Sequence, residues 1–169
     1  YFTIALAGTI STSIDQYESL ILKDPKERKE HQFVIDDIKE KLSPLTKKIS
    51  IHETEVYNFG PIAHLRTLIE FSYAGKNQTL VKGLAPTAAL GGYPSHLSLD
   101  FLKKTKYYQL EKNERYFGGV YGFNYPGISF ALVGIRNIYW DQNQLTIHSG
   151  SGIVANSTVE KECAEVVRK

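Results

Sequence analysis

Residues 64–73 read HLRTLIEFSY and alternate between two kinds of side chain. One set is mainly apolar, the other mainly polar, and a period of two is typical of a β-strand with one buried face. The mainly apolar set consists of Leu65, Thr67, Ile69, Phe71 and Tyr73. This stretch therefore predicts a strand.

A helix is predicted upstream of this strand, over residues 25–43. Asp24 is suited to the N-cap and Pro25 to the first helical position, which makes the pair a strong start signal. The helix is expected to end at Ser43, because Pro44 disfavours helical geometry in the residue before it. Its apolar stripe consists of Val34, Ile38, Leu42 and Leu45, with Ile35 beside it.

The other segments mix strands and helices without a regular βαβ order. Extended chain is expected over residues 1–7, 49–73, 116–123 and 129–140, and a further strand is expected to end at His148. Helices are expected after residues 75–77, over residues 95–104 and from Ser157, where Glu160 completes a capping box. This order favours an α+β fold with mostly antiparallel sheets and helices packed on the outside. The length of 169 residues, 42% of them apolar, fits one domain.

Composition excludes several classes of protein. The 20 basic and 18 acidic residues are spread along the sequence, so no nucleic-acid partner is expected. Apolar runs are much shorter than the roughly 18 residues of a membrane-spanning helix, and no basic opening of a signal peptide is present. A single cysteine, Cys163, cannot form an intrachain disulfide and favours a reducing compartment. We expect a cytoplasmic protein without a membrane partner.

Two pairs of glutamates are the first candidates for chemistry. Glu27 and Glu30 are three residues apart on a predicted helix, as are Glu162 and Glu165, so each pair faces one way. Two carboxylates about 4 Å apart would repel each other by ~4 kcal/mol at an effective dielectric of about 20. A divalent cation such as Mg²⁺ would turn that repulsion into attraction. The alternative is a solvated helix face with lysines, which the pattern alone favours.

Other candidates have equally plain alternatives. Arg136 lies in an apolar strand, where a buried guanidinium needs either an internal glutamate or a ligand carboxylate as its partner. The loop Gly150-Ser151-Gly152 could offer N–H groups to an anion, although most such loops are hairpin turns. Lys169 could equally be a surface lysine, and a histidine placed as His64 is more often structural than catalytic.

The segment APTAALGGYPS, residues 85–95, has very little side-chain bulk. Glycine allows the backbone to approach a ligand or another strand closely. The segment is therefore either a tight turn packed in the core or a surface that a ligand or another strand approaches closely. Composition alone favours the turn.

Seven short motifs follow one another along the chain. They are ALAGT (5–9), DPKERKEHQFVIDDI (24–38), HLRT (64–67), PTAALGGYP (86–94), YFGGVYGF (116–123), GIR (134–136) and GSGIVANSTVEKECAEVVRK (150–169). Together they resemble the chorismate-utilising enzymes, and within that family the isochorismate synthases. The resemblance covers nearly the whole chain and implies the chorismate-binding fold that this family shares with anthranilate synthase component one.

The resemblance also implies a set of ligands. Glu30 and Glu165 match the glutamates that hold a magnesium ion, with Glu27 and Glu162 just behind them, and the ion binds the ring carboxylate of chorismate. A dianionic substrate suits a site rich in N–H groups and positive charge. The positions that match the family's substrate-binding residues are Gly8, Thr9, His64, Thr87, Ala89, Arg136, Gly150, Ser151, Gly152 and Lys169.

Residues 86–92 separate the branches of this family. In the ammonia-using relatives the segment resembles Pro-x-Gly-Thr followed by Ser-Gly-Ala-Pro, whereas here it reads PTAALGG. The alanine pair is similar to the isochorismate branch, in which water is the nucleophile. Ala89 is accordingly expected to leave room for that water beside the ring.

The implied function is an isomerase with Mg²⁺ as cofactor, which adds water to C2 of chorismate, releases the C4 hydroxyl and forms isochorismate for menaquinone, siderophore or salicylate synthesis. The family's general base, a lysine, and general acid, a glutamate, are expected upstream of Tyr1. Residues 1–169 are therefore expected to be the C-terminal part of a chorismate-binding domain, inactive alone, with strand edges that could pair with a second copy.

Two further functions stay open at this point. The first is another reaction of the same family, which would form salicylate, anthranilate or aminodeoxychorismate in place of isochorismate. The second is a non-catalytic domain that binds a carboxylate ligand or a partner protein. Analysis of the product separates the family's reactions from one another.

Overall fold

The computed structural model describes residues 1–105 and 117–168. The chain divides into two compact units, Tyr1–Ala74 together with Gly150–Lys169, and Gly75–Ser149. Within the described residues, each unit contains helices and antiparallel strands. The predicted α+β class is therefore confirmed.

The first unit is built on a four-stranded antiparallel sheet. β1 (Phe2–Ser11) pairs along one edge of β4 (Ile62–Phe71), while β2 (Ile49–Ile51) and β3 (Glu55–Asn58) pair along the other. β4 is thus the central strand, and its predicted inward residues from Leu65 to Phe71 are buried. The strand ends at Phe71, so Tyr73 lies beyond it.

The extended chain expected over residues 49–73 is interrupted twice. Residues 52–54 separate β2 from β3, and a turn follows β3 in which the N–H of Phe59 donates to the carbonyl of Ile62 at 2.8 Å. This turn reverses the chain and starts β4. The periodicity predicted the central strand, whereas the short edge strands lacked a comparable pattern.

Among its described residues, the first unit has three helices: α1 (Tyr17–Lys23), α2 (Pro25–Leu42) and α6 (Val159–Arg168). α2 packs on β1 and β4, which confirms the predicted helix and its start. The buried apolar residues of this layer include Ala5, Ala7, Val34, Ile35, Ile38, Leu42, Leu65 and Ile69. α1 was not predicted from the sequence, and it contributes the fully buried Ile21.

α6 buries acidic residues and exposes apolar ones. Glu162 and Glu165 are only 6% and 5% exposed, whereas Val159 is 74% exposed. The helix begins at Val159, so the predicted start at Ser157 is wrong. Ser157 Oγ accepts a hydrogen bond from the N–H of Val154 at 3.1 Å. The inward face of α6 is therefore a carboxylate face.

In its described residues, 75–105 and 117–149, the second unit contains α3 (Asn77–Leu84), α4 (Ala88–Gly91), α5 (Ser95–Lys104) and two hairpins. The first hairpin joins β5 (Val120–Tyr125) to β6 (Ile128–Val133), and the second joins β7 (Ile138–Trp140) to β8 (Leu145–Ile147). The strand expected over residues 129–140 is thus divided into two. No helix within the described ranges combines the length and apolar content that crossing a membrane requires.

The segment over residues 85–95 forms a short helix and not only a turn. α4 lies between two cis peptide bonds, Ala85–Pro86 and Tyr93–Pro94. A Cβ at Gly91 would lie 3.0 Å from Pro86 Cγ, and one at Gly92 would lie 2.7 Å from Ser98 Cβ. The small residues therefore admit a close approach of the chain to itself, which accounts for the two glycines.

Candidate functional site

The first turn of α2 is fixed by a side-chain cap. Asp24 Oδ1 accepts hydrogen bonds from the N–H groups of Lys26 at 2.8 Å and Glu27 at 3.1 Å. These are N–H groups that a helix leaves without a partner in its own backbone. Capping and the proline at the first position thus set the direction of the Lys26 and Glu27 side chains.

Glu27 is held by a bulge in the neighbouring strand. The register of β1 on β4 shifts between Ala7 and Thr9, and the intervening Gly8 has a φ of 75°. The sequence predicted that this extended chain ends at residue 7, but the strand continues to Ser11. The bulge directs the N–H of Thr9 to Glu27 Oε2, at 2.7 Å. Burial raises the pKa of Glu27, and the contacts with Thr9 and Lys26 oppose that rise only in part.

Lys26 joins α2 to α6 through carboxylates. Its Nζ lies 2.9 Å from Glu162 Oε1, 3.2 Å from Glu27 Oε1 and 3.9 Å from Glu165 Oε2. Burial by itself lowers the pKa of Lys26, but Glu162 and Glu27 outweigh it, so the pKa is raised above its ordinary value. The ammonium is therefore the charged centre of this acidic group.

Glu162 is stabilised as a carboxylate. Burial raises the pKa of a carboxyl group, but contacts with Ser157, Lys26 and Ser151 outweigh that effect and lower the pKa of Glu162. Ser151 belongs to the loop that the sequence singled out as an anion site. Through Ser151, that loop helps to lower the pKa of Glu162.

Glu30 and Gly152 are in close contact. Glu30 lies one turn after Lys26 on α2, and a Cβ added to Gly152 would come within 2.4 Å of Glu30 Oε1. No larger residue fits at position 152 unless the carboxylate moves. The small residue thus forms part of a cradle for Glu30.

The four glutamates and Lys26 form what we call the carboxylate cluster: Lys26, Glu27, Glu30, Glu162 and Glu165. Four negative charges against one positive charge leave a formal excess of three negative charges. Mg²⁺ prefers oxygen ligands and usually takes one or two carboxylates together with water and substrate oxygens. Within residues 1–105 and 117–168, no group of three or more His, Cys, Asp or Glu side chains is arranged so that it could hold a metal ion, so at most two carboxylates would bind one. The donor set and its charge fit Mg²⁺.

His64 lies beside the bulge. The ring is buried, and its Nδ1 donates to the carbonyl of Gly8 at 2.8 Å and lies 3.1 Å from Thr9 Oγ1. Gly8, Thr9 and His64 therefore meet at one place in the first unit. Their hydrogen bonds fit the structural interpretation of His64 and also fix the orientation of its ring.

Three of the remaining candidates, Thr87, Ala89 and Arg136, belong to the second unit. Thr87 precedes α4, and Ala89 is an exposed residue of that helix in the second unit. Arg136 lies between β6 and β7 and is exposed, so the prediction of a buried guanidinium is wrong. The break in the strand at Gly134 explains the difference, because the apolar run does not continue as one buried strand. Lys169 lies outside the described residues.

Sequence reasoning missed Lys26. The signal was present, because this lysine precedes Glu27 in a capped first turn. Its contacts with Glu162 and Glu165 involve the other end of the chain, and no local pattern relates those residues to it.

Comparison with known proteins identifies the family. Residues 1–169 match the family described as chorismate binding enzyme. This chain belongs to that family. It is 30% identical over 179 residues to the isochorismate synthase MenF of Pasteurella multocida, covering 99% of this chain and 40% of that protein. It is 29% identical over 177 residues to the salicylate biosynthesis isochorismate synthase of Pseudomonas aeruginosa, covering 99% and 36%.

The fold is shared with a solved member of the family. The structure of MenF from Escherichia coli, titled a menaquinone-specific isochorismate synthase, matches with a TM-score of 0.83 at 26% identity. The match covers 98% of this chain and 39% of that one. This confirms the family resemblance and its fold, while the chain spans about 40% of the length of the curated MenF it matches.

Proposed function

We propose that this chain is the magnesium- and chorismate-binding part of an enzyme that interconverts chorismate and isochorismate. The observation that carries the proposal is the meeting of Glu27, Glu162 and Glu165, from two helices, around the ammonium of Lys26, with Glu30 one turn away on α2. Two relatives, one named for menaquinone and one for salicylate biosynthesis, are both called isochorismate synthases. Their names share a product and differ in its destination, so we propose the reaction without a pathway.

In the proposed site Glu30 and Glu165 bind Mg²⁺. When bound, the ion supplies positive charge that offsets these carboxylates and the ring carboxylate of chorismate. Glu27 and Glu162 stay with Lys26 and orient the helices on which the two metal ligands lie. The bulge at Gly8 contributes through the Thr9 N–H, which holds Glu27.

The proposed substrate contacts fall into two groups. Gly8, Thr9, His64 and the loop of residues 150–152 belong to the same unit as the carboxylate cluster. In that group the hydrogen bond from His64 to Gly8 fixes which ring nitrogen carries a proton, and thereby the polarity that the ring presents. The other group, which rests on the family resemblance alone, consists of Thr87, Ala89, Arg136 and Lys169.

The proposed reaction balances as an isomerisation. Water adds to C2 of chorismate as a base takes its proton, the double bonds shift, and the C4 hydroxyl leaves with a proton from an acid. One water molecule enters and one leaves. The base and acid that the resemblance implies are a lysine and a glutamate upstream of Tyr1. We therefore assign binding and orientation of the substrate to residues 1–169, and the test below measures binding.

The test is calorimetric titration of Mg²⁺ into the chain with and without chorismate. We expect chorismate to strengthen Mg²⁺ binding, because its carboxylate adds a ligand to the ion. We expect Glu30→Gln and Glu165→Gln each to weaken Mg²⁺ binding at least about tenfold, since each removes one charged ligand and tenfold corresponds to ~1.4 kcal/mol.

Glu160→Gln is the matched control. Glu160 lies on α6 and is exposed, so its substitution removes the same charge outside the cluster. Unchanged Mg²⁺ binding in both Glu30→Gln and Glu165→Gln would contradict the ligand assignment. Chorismate binding that does not respond to Mg²⁺ would support a carboxylate-binding domain without the proposed metal.

A further inference from the structure

Lys26 lies where the carboxylate cluster most needs positive charge. Its side chain is 15% exposed, and its Nζ is within 4 Å of three carboxylates, at distances of 2.9, 3.2 and 3.9 Å. A surface lysine usually extends into water and contributes little through its ion pairs. Lys26 instead compensates part of a buried negative charge.

Glu165 connects Lys26 with the proposed metal. It lies 3.9 Å from Lys26 Nζ and is one of the two proposed Mg²⁺ ligands. An ammonium and a divalent cation that share a carboxylate repel each other, and the repulsion is strong where water is excluded. The Lys26 ammonium at its present distance from Glu165 therefore weakens the binding of Mg²⁺ to that carboxylate.

We propose that Lys26 is a built-in cation that holds the carboxylate cluster together before metal binds and thereby lowers the affinity of the site for Mg²⁺. The inference rests on the proposed function. The four-carbon stem of lysine is flexible, and the two shorter contacts, to Glu162 and Glu27, allow Nζ to withdraw from Glu165 without losing its partners.

The inference predicts opposite changes in two properties. Without Lys26, the excess of negative charge rises from three to four, so the metal-free protein becomes less stable while the attraction for Mg²⁺ increases. A lysine with a merely structural role predicts lower stability and unchanged or weaker metal binding. Measuring both properties separates the two interpretations.

The test is Mg²⁺ titration of Lys26→Gln, Lys26→Arg and Lys39→Gln by calorimetry. We expect Lys26→Gln to lower the Kd for Mg²⁺ at least about tenfold, and Lys26→Arg, which keeps the charge, to remain closer to wild type. Lys39 is an exposed residue of α2, about 20 Å along the helix at 1.5 Å per residue. Lys39→Gln removes the same charge and is expected to leave the Kd unchanged.

Thermal unfolding in EDTA and in Mg²⁺ gives the second measurement. We expect a lower Tm for Lys26→Gln in EDTA and a larger rise on adding Mg²⁺ than in wild type, since a ligand that binds only the folded state stabilises it in proportion to its affinity. A Lys26→Gln variant that stays unfolded in Mg²⁺ would overturn the inference, because the metal would then not replace the ammonium.

The outcomes also distinguish this inference from the proposed function. If Glu30→Gln weakens Mg²⁺ binding but Lys26→Gln leaves it unchanged or weaker, the metal site stands and the role of Lys26 is wrong. If neither Glu30→Gln nor Glu165→Gln affects Mg²⁺ binding, the metal site itself is wrong, and this inference falls with it.

Discussion

Lys26 Nζ lies 2.9 Å from Glu162 Oε1, so one ion pair joins the first turn of α2 to α6. The two side chains are 15% and 7% exposed, which limits screening by water and salt. The helices come from opposite ends of the chain. The stability of the first unit and the arrangement of the carboxylate cluster therefore depend on the same contact.

The first prediction concerns the strength of this ion pair. In a double-mutant cycle of Lys26→Met and Glu162→Gln, we expect a coupling free energy of about 1–3 kcal/mol in the metal-free protein, because residues in one buried network couple strongly. Urea unfolding of the four proteins in EDTA measures it. The cycle removes effects that each substitution has on its own.

The pair Lys103–Asp100 is the control for that cycle. Its atoms are 3.7 Å apart, and the side chains are 58% and 72% exposed. Exposed pairs contribute about 0–1 kcal/mol. An equally small coupling between Lys26 and Glu162 would mean that the buried contact does not hold the two helices together.

The second prediction concerns the cradle for Glu30. We expect Gly152→Ala to change the free energy of unfolding by less than about 1 kcal/mol, because its Cβ would lie 2.4 Å from Glu30 Oε1, the end of a flexible side chain that can shift. We also expect weaker Mg²⁺ binding, since the carboxylate must move. Urea unfolding and Mg²⁺ titration measure the two effects.

Gly119→Ala is the matched control for the cradle. A Cβ at Gly119 would have nothing within 4 Å. The same substitution there changes only backbone freedom, so we expect a change in stability within about 1 kcal/mol. Equal Mg²⁺ binding in Gly152→Ala and Gly119→Ala would show that the contact with Glu30 is unimportant.

Local patterns predicted the parts of the fold that local physics determines. The alternation over residues 64–73 gave the central strand, and Asp24-Pro25 gave the start of α2, because the period and the cap each depend on residues close in sequence. The same locality explains the error at Gly8. A glycine with positive φ suits both a turn and a bulge, and only the register of β1 on β4 distinguishes them.

The site required contacts that the sequence does not encode locally. Each i, i+3 pair of glutamates predicted a shared face, but Lys26 reaches Glu162 only because the fold brings the first turn of α2 close to α6. Arg136 was interpreted as buried from the apolar run around it, yet the run breaks at Gly134. In both cases the deciding factor is how elements meet, which periodicity does not report.

The third prediction concerns pH and His31. Its Nε2 lies 2.8 Å from Thr67 Oγ1, and burial lowers the pKa of His31 from 6.5 to about 4. The unfolded chain takes up this proton near pH 6.5, whereas the folded protein resists until about pH 4. The contribution of His31 to stability is therefore complete above pH 6.5 and is lost as pH falls toward 4, in total on the order of 3 kcal/mol.

Urea unfolding between pH 4 and 7 in EDTA checks this prediction. We expect His31→Gln to be less stable at pH 7 and to show a smaller fall in stability on acidification, because its buried position no longer titrates. His52→Gln is the control, since His52 is exposed and pairs with Glu70 at the surface. A wild-type pH profile in His31→Gln would exclude His31 as the source of the fall.

The fourth prediction compares two glycines with the same backbone conformation. Gly8 and Gly60 have φ angles of 75° and 82°, so alanine at either position incurs about 1–2 kcal/mol of left-handed strain. A Cβ at Gly60 meets nothing within 4 Å, whereas one at Gly8 lies 3.1 Å from the carbonyl oxygen of Glu27. We expect Gly8→Ala to lower the free energy of unfolding by at least about 1 kcal/mol more than Gly60→Ala.

The difference arises at the carboxylate cluster. In the folded protein the N–H of Thr9 donates to Glu27 Oε2 at 2.7 Å, and displacing the bulge at Gly8 would break this hydrogen bond. A buried carboxylate that loses a donor destabilises the fold. Urea unfolding of both variants in EDTA measures the difference. If both alanine variants lose the same stability, only backbone strain acts at Gly8, and the bulge has no part in positioning Glu27.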